Sequence, residues 1–91
     1  MVREQVVIKN PTGLHLRPAG LFCKTAMQFE CKITIESKNG GDELYANAKS
    51  VLSVLGACIK SGDVITIACE GNDEEAALET MVQIVNDGLG E

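Results

Sequence analysis

Cys31-Lys32-Ile33-Thr34-Ile35-Glu36 carries an apolar side chain at each odd position and a polar one at each even position. Successive residues of a strand point to opposite faces, so this stretch reads as a strand with one buried and one wet face. Beyond it, Lys38-Asn39-Gly40-Gly41-Asp42 is a hairpin turn, and Leu44, Ala46 and Ala48 alternate with Glu43, Tyr45 and Asn47 on the return. The two strands form an antiparallel pair. A sheet with one polar face has to be packed by helices on the other, which points to a two-layer α+β domain.

The flanking segments supply the remaining elements. Residues 4 to 9 set Val6 and Ile8 against Gln5 and Lys9, a strand pattern with Val7 as its exception. The turn formers Asn10-Pro11-Thr12-Gly13 close that strand, and Pro18, Ala19, Leu21, Phe22, Ala26 and Phe29 mark a helix from about Leu16 to Gln28. Downstream, Ser50 reads as the N-cap of a short helix reaching about Ala57. After Lys60-Ser61-Gly62-Asp63, the residues Ile65, Ile67 and Cys69 mark a fourth strand. The last helix is expected to open at Asn72 with a capping box to Glu75, to bury Leu78, Met81, Val82 and Val85, and to end at Gly88. The order is βαββαβα, one domain over residues 1–91.

At 91 residues the chain is near the size where one core just suffices. A hydrophobic fraction of 45% with 3% aromatics means that Val, Ile, Leu and Ala build it. The net charge of −5 argues against a nucleic-acid binder, and so few aromatics leave little for base stacking. No signal-peptide core and no apolar run near the ~20 residues that span a bilayer occurs, so a cytoplasmic protein without membrane insertion is expected. Cys23, Cys31, Cys58 and Cys69 form no C-x-x-C pair and only one histidine could join them, which disfavours a metal site; reduced, buried thiols are the expectation.

Charge is unevenly distributed. From Gln5 to Phe29 there is no acid, whereas Lys9, Arg17 and Lys24 are basic; from Glu70 to Glu91 every charged side chain is acidic. The basic region, extended by Lys49, suits docking of acidic partner proteins. Within it, Gly13-Leu14-His15-Leu16-Arg17-Pro18-Ala19 places the only histidine on the strand-to-helix turn. Proline is tolerated in a first helical turn, where amide hydrogens lack intrahelical acceptors, and the remaining free amides together with the helix dipole favour an anion. Arg17 adds a guanidinium fork matched to phosphate oxygens. An imidazole in such surroundings can attack a phosphoryl group and become phosphohistidine. The residues alone leave open the plainer reading, a surface histidine beside a helix start.

This string resembles the Gly-Leu-His-x-Arg-Pro-Ala signature of the HPr family, the histidine-containing phosphocarriers of the bacterial phosphoenolpyruvate-dependent sugar phosphotransferase system. Asn47-Ala48-Lys49-Ser50-Val51-Leu52 is similar to that family's regulatory serine segment, and the likeness covers essentially the whole chain. It implies an open-faced two-layer sandwich, a four-stranded antiparallel sheet with three helices on one face. It implies a covalent carrier, not a catalyst with turnover of its own: His15 accepts the phosphoryl group from phosphorylated enzyme I through Nδ1 and passes it to IIA domains of sugar permeases. Arg17 balances charge, and the amides of Leu16 and Arg17 hold the phosphoryl oxygens. Mg²⁺ is needed on enzyme I, and no metal or organic cofactor is implied for this chain, which is expected to be a monomer.

The second helix adds a docking surface to this expectation. Val51, Leu52, Val54, Leu55, Cys58 and Ile59 spread over roughly 160° at about 100° per residue, wider than the ~100° stripe that a core requires. By similarity, Val51, Leu52 and Leu55 are the exposed members, an apolar centre beside His15 and Ser50, flanked by Lys24 and Lys49. Ser50 is either an ordinary cap or the phosphoserine site of HPr kinase/phosphorylase, where a phosphate would repel enzyme I without changing the fold. Two departures from the family pattern stand out: Leu16, whose side chain should point away from the site, and a hairpin from Ser37 to Tyr45 a few residues longer than usual. Two other readings share the fold: a module acting through Ser50 as corepressor of a catabolite-control transcription factor, whose specialised members usually lose the histidine, and a nitrogen-related phosphocarrier.

Overall fold

The computed structural model describes residues 1–37 and 43–91. Along the chain run β1 (Val2–Val7), α1 (Leu16–Ala26), β2 (Lys32–Ser37), β3 (Leu44–Asn47), α2 (Val51–Gly56), β4 (Val64–Glu70) and α3 (Glu74–Asn86), in the βαββαβα order read from the sequence. The strands lie in the order β1-β4-β2-β3, every neighbouring pair antiparallel. The hairpin turn read at Lys38 to Asp42, and with it the lengthened tip, lies outside the described residues.

The alternation quoted at the outset sets the layers. Ile33 and Ile35 stand opposite Cys69 and Ile67, Val6 stands opposite Ile65, and all are buried. Against this inner face pack Ala19, Phe22 and Ala26 of α1, Val54 of α2, and Ala77, Met81 and Val85 of α3. Phe22 is completely removed from water, a burial that contributes about 1.5–3 kcal/mol. The outer face carries Arg3, 3.8 Å from Glu36, and the pair Val7 and Val64, 42% and 51% exposed. Val7 is thus an outward residue at the sheet's edge, which resolves the exception in the first strand. The protein is an α+β open-faced sandwich.

Several boundaries differ from the sequence reading. β1 begins at Val2, because β4 is long enough to pair Val2 with Cys69. α1 ends at Ala26, where Gln28 and Phe29 turn back to the carbonyls of Thr25 and Ala26. α3 opens at Glu74 with Asp73, not Asn72, as N-cap, and the capping box to Glu75 does not form. The Asp73 carboxylate instead accepts hydrogen bonds from the amides of Glu30 (2.8 Å) and Cys31 (2.9 Å), and Glu74 takes the Gly71 amide at 3.2 Å. Asp73 therefore fastens the chain after α1 to the start of α3. These bonds, the Glu30 amide first, hold its carboxyl below the ordinary value.

The cysteines also divide. Cys23, Cys31 and Cys69 are buried free thiols, as expected, but Cys58 is exposed, at a positive φ of 52° just past α2. Burial pushes the Cys69 thiol up to about 12, with neighbouring Cys31 adding to the shift, so it stays protonated and unreactive at neutral pH.

Candidate functional site

The turn between β1 and α1 is held by contacts that its sequence only partly announces. Asn10 is buried, and its amide donates to the carbonyl oxygen of Gly13 at 2.6 Å. Gly13 adopts φ +67°, and a Cβ there would lie 2.7 Å from the Ile59 carbonyl oxygen and 2.8 Å from both Lys60 Cα and Ser61 N. Only glycine fits, both for its backbone conformation and for this close approach. The Leu14 amide then donates to the Ile59 carbonyl at 3.0 Å, while the Leu14 side chain enters the core. The loop that delivers His15 is thereby pinned to the chain just past α2.

His15 is the N-cap of α1, with extended backbone (φ −74°, ψ 178°), and its exposed side chain makes no capping bond. Its carbonyl accepts the first helical bond, from the Ala19 amide at 2.8 Å. Pro18 has no N–H, so the unsatisfied donors of this helix mouth are the amides of Leu16 and Arg17, which have no partner among the described residues. Leu16 turns its side chain to solvent, 63% exposed. His15, Leu16, Arg17 and Pro18 line a shallow depression of about 500 Å³ together with Thr12 and Glu91. An exposed imidazole beside two free amides, a helix dipole and a guanidinium can take up a tetrahedral anion.

Sequence reasoning missed Glu91. Its Oε1 accepts hydrogen bonds from Thr12 Oγ1 at 2.6 Å, Asn10 Nδ2 at 2.8 Å and, more weakly, the Thr12 amide at 3.4 Å. The Thr12 hydroxyl, then Asn10, and further off the charge of Arg17 hold this carboxyl below its ordinary value. No local pattern could have signalled a partnership spanning 81 positions.

The second proposed site lies elsewhere. Ser50 caps α2 as expected, its Oγ accepting from the Ser53 amide at 3.2 Å, and Ser53 Oγ in turn accepts from the Asn47 amide at 2.9 Å. Lys49 Nζ donates to the Phe29 carbonyl just past α1 at 2.6 Å. Since the His15 loop is tied to Ile59 beyond α2, the two helices run antiparallel, with His15 and Ser50 at opposite ends of the pair. The 11-residue α1 of this pair is about 16 Å long. Of the three apolar residues read as exposed, only Leu52 is, at 83%; Val51 and Leu55 are half-buried against the core. Lys24 is exposed on the last turn of α1, but the Lys49 ammonium is engaged within the fold. No group of three His, Cys, Asp or Glu that could hold a metal occurs among the described residues.

These features define a class: a small open-faced α+β sandwich whose single histidine stands uncapped at a helix mouth. Comparison with known proteins identifies it. Residues 2–87 match the family described as "PTS HPr component phosphorylation site". The chain is 41% identical over 85 residues to the HPr-like protein Crh of Halalkalibacterium halodurans, covering 93% of this chain and 96% of that one. It is 36% identical over 85 residues to the phosphocarrier protein HPr of Mycoplasma pneumoniae, covering 93% of each. The crystal structure of HPr from Thermoanaerobacter tengcongensis superposes with a TM-score of 0.88 at 36% identity, over 100% of this chain and 98% of the other. An HPr dimer from the same organism gives 0.76 at 37% identity, over the full length of both.

The chain belongs to the HPr family of the phosphotransferase system. It is a phosphocarrier, not an enzyme, and its partners are proteins of that system such as enzyme I. Among the described residues no helix is long and apolar enough to cross a membrane.

Proposed function

We propose that His15 is the phosphoryl acceptor, taking the group from phosphorylated enzyme I and giving it to IIA domains of sugar permeases in the cytoplasm. The observation that carries this reading is the helix mouth itself: an uncapped imidazole, with Pro18 leaving the Leu16 and Arg17 amides as free donors. These amides hold the phosphoryl oxygens, and Arg17 balances their charge. Residues 1–91 act as one unit, and the unit of transfer is the monomer, because one chain supplies every residue of the site; a relative's dimer makes the oligomeric state worth measuring alongside activity.

Leu52 and Lys24 form the open part of the docking surface, with Val51 and Leu55 contributing their exposed edges. Lys49 serves it by fixing the start of α2 against the end of α1. Ser50 is the regulatory position, a substrate for HPr kinase/phosphorylase.

The test is intact-mass and acid-lability analysis after incubation with enzyme I and phosphoenolpyruvate. One acid-labile phosphoryl group on the wild type and none on His15→Ala is expected; no uptake by the wild type overturns the reading. Similarity to an HPr-like protein Crh favours a second reading, a binding module for a catabolite-control transcription factor that works through Ser50. An acid-stable phosphate on Ser50 in a chain that takes none on His15 would select it.

A further inference from the structure

Glu91 is a carboxylate placed on the rim of an anion site. It lines the same depression as His15 and Arg17, and three donors of the loop that delivers His15 converge on its Oε1. Asn10 divides its amide between the Gly13 carbonyl and Glu91, so the strap reaches the residue two positions before His15. Hydrogen bonding alone does not require a negative charge here, since a neutral amide oxygen accepts the same bonds. The charge has a separate consequence. With His15 unmodified, Glu91 lies near the Arg17 cation and the two attract. A phosphoryl group on His15 brings further negative charge into that depression, where it competes for Arg17 and is repelled by Glu91.

We propose that the charge of Glu91 destabilises phosphorylated His15 relative to the unmodified chain, raising the tendency of the carrier to give its phosphoryl group away. This rests on His15 being the acceptor. In the transfer, the bond from phosphorus to the donor breaks as the bond to the His15 ring nitrogen forms. The bonding electrons stay with the donor, which takes up the proton that the imidazole gives up; nothing is oxidised or reduced. Glu91 touches none of these atoms and acts through the field at the site.

The experiment holds the chain at equilibrium with catalytic enzyme I and Mg²⁺ at a fixed ratio of phosphoenolpyruvate to pyruvate. Intact mass reads the ratio of phosphorylated to unmodified chain. Glu91→Gln keeps the acceptor for Asn10 and Thr12 and removes the charge, so its ratio should rise about three- to tenfold at low salt. The rise should shrink as added salt shortens the screening length. Glu91→Ala should show the same rise together with a lowered melting temperature, because the strap is lost as well. An unchanged or lowered ratio in Glu91→Gln overturns the proposal and leaves Glu91 as a structural strap. Failure of the wild type to take up any phosphoryl group is a different result: it overturns the assignment of His15, and this inference with it.

Discussion

The mouths of α1 and α2 begin alike, with an extended residue followed by a helix, yet they are finished differently. At α2 the Ser50 hydroxyl accepts from the Ser53 amide, so the helix supplies its own cap. At α1 His15 caps nothing, Pro18 removes one donor, and the Leu16 and Arg17 amides are left open. A capped mouth contributes stability; an uncapped one keeps its donors for a ligand. The fold supports the open mouth from outside, through Gly13 and Leu14 on the Ile59 segment and through Glu91 on Thr12 and Asn10.

The sharpest way to break this contrast is Gly13→Ala. It demands a strained φ and drives a methyl group into three backbone atoms at 2.7–2.8 Å, so a loss above about 2 kcal/mol is expected in denaturant unfolding, with phosphoryl uptake lost as well. Ser50→Ala attacks the other mouth, where removal of the cap should cost about 0.5–2 kcal/mol and leave uptake on His15 intact. Gly20→Ala tests the helix between them. Nothing lies within 4 Å of the added methyl, so α1 should gain roughly 0.5–1 kcal/mol, read as a raised melting temperature; a loss would mean that this face of α1 is tighter than it looks.

Acid should loosen both ends together. Glu91 fastens the His15 loop and Asp73 fastens the segment after α1, and their carboxyls are held below the ordinary 4.5 and 3.8 by the Thr12 hydroxyl and the Glu30 amide respectively. A depressed folded value means that the stabilisation is present above the unfolded value and is lost as pH falls through the folded one. Melting temperature should therefore fall below about pH 4.5, and the Glu91→Gln and Asp73→Asn variants should each lose part of that dependence. The smallest effect on stability is expected for Leu52→Glu, within about 0.5 kcal/mol, because the side chain is 83% exposed. Transfer to partners should weaken in that variant, and unfolding instead would place Leu52 in the core.

Local pattern was enough wherever the physics is local. The alternation through Cys31–Glu36 gave the sheet its two faces, and Ser50, Gly13 and Pro18 marked turns and caps by their own covalent geometry. Residues that act across the fold left no such trace. Asn72 reads as the cap of the last helix, yet Asp73 holds that position and gives its carboxylate to the amides of Glu30 and Cys31, 43 and 42 positions away. Lys49 reads as a free surface cation, but the Phe29 carbonyl holds it. The wide apolar arc of α2 correctly implied some exposure, while packing against the core half-covered Val51 and Leu55 and left Leu52 outside. That His15 and Ser50 face opposite ends of a helix pair follows from the antiparallel packing of α1 and α2, which periodicity within either helix does not encode.

The antiparallel pair also sets a scale. A docked protein typically covers about 800 Å² on each side, a disc about 30 Å across, whereas α1, the longer helix of the pair, is only about 16 Å long. A footprint of that size is wide enough to span both ends of the pair. If His15 carries the cargo and Ser50 the regulatory charge, as proposed, a protein seated at the first mouth also meets the second, and the surface would work as a two-input gate whose inputs need never touch.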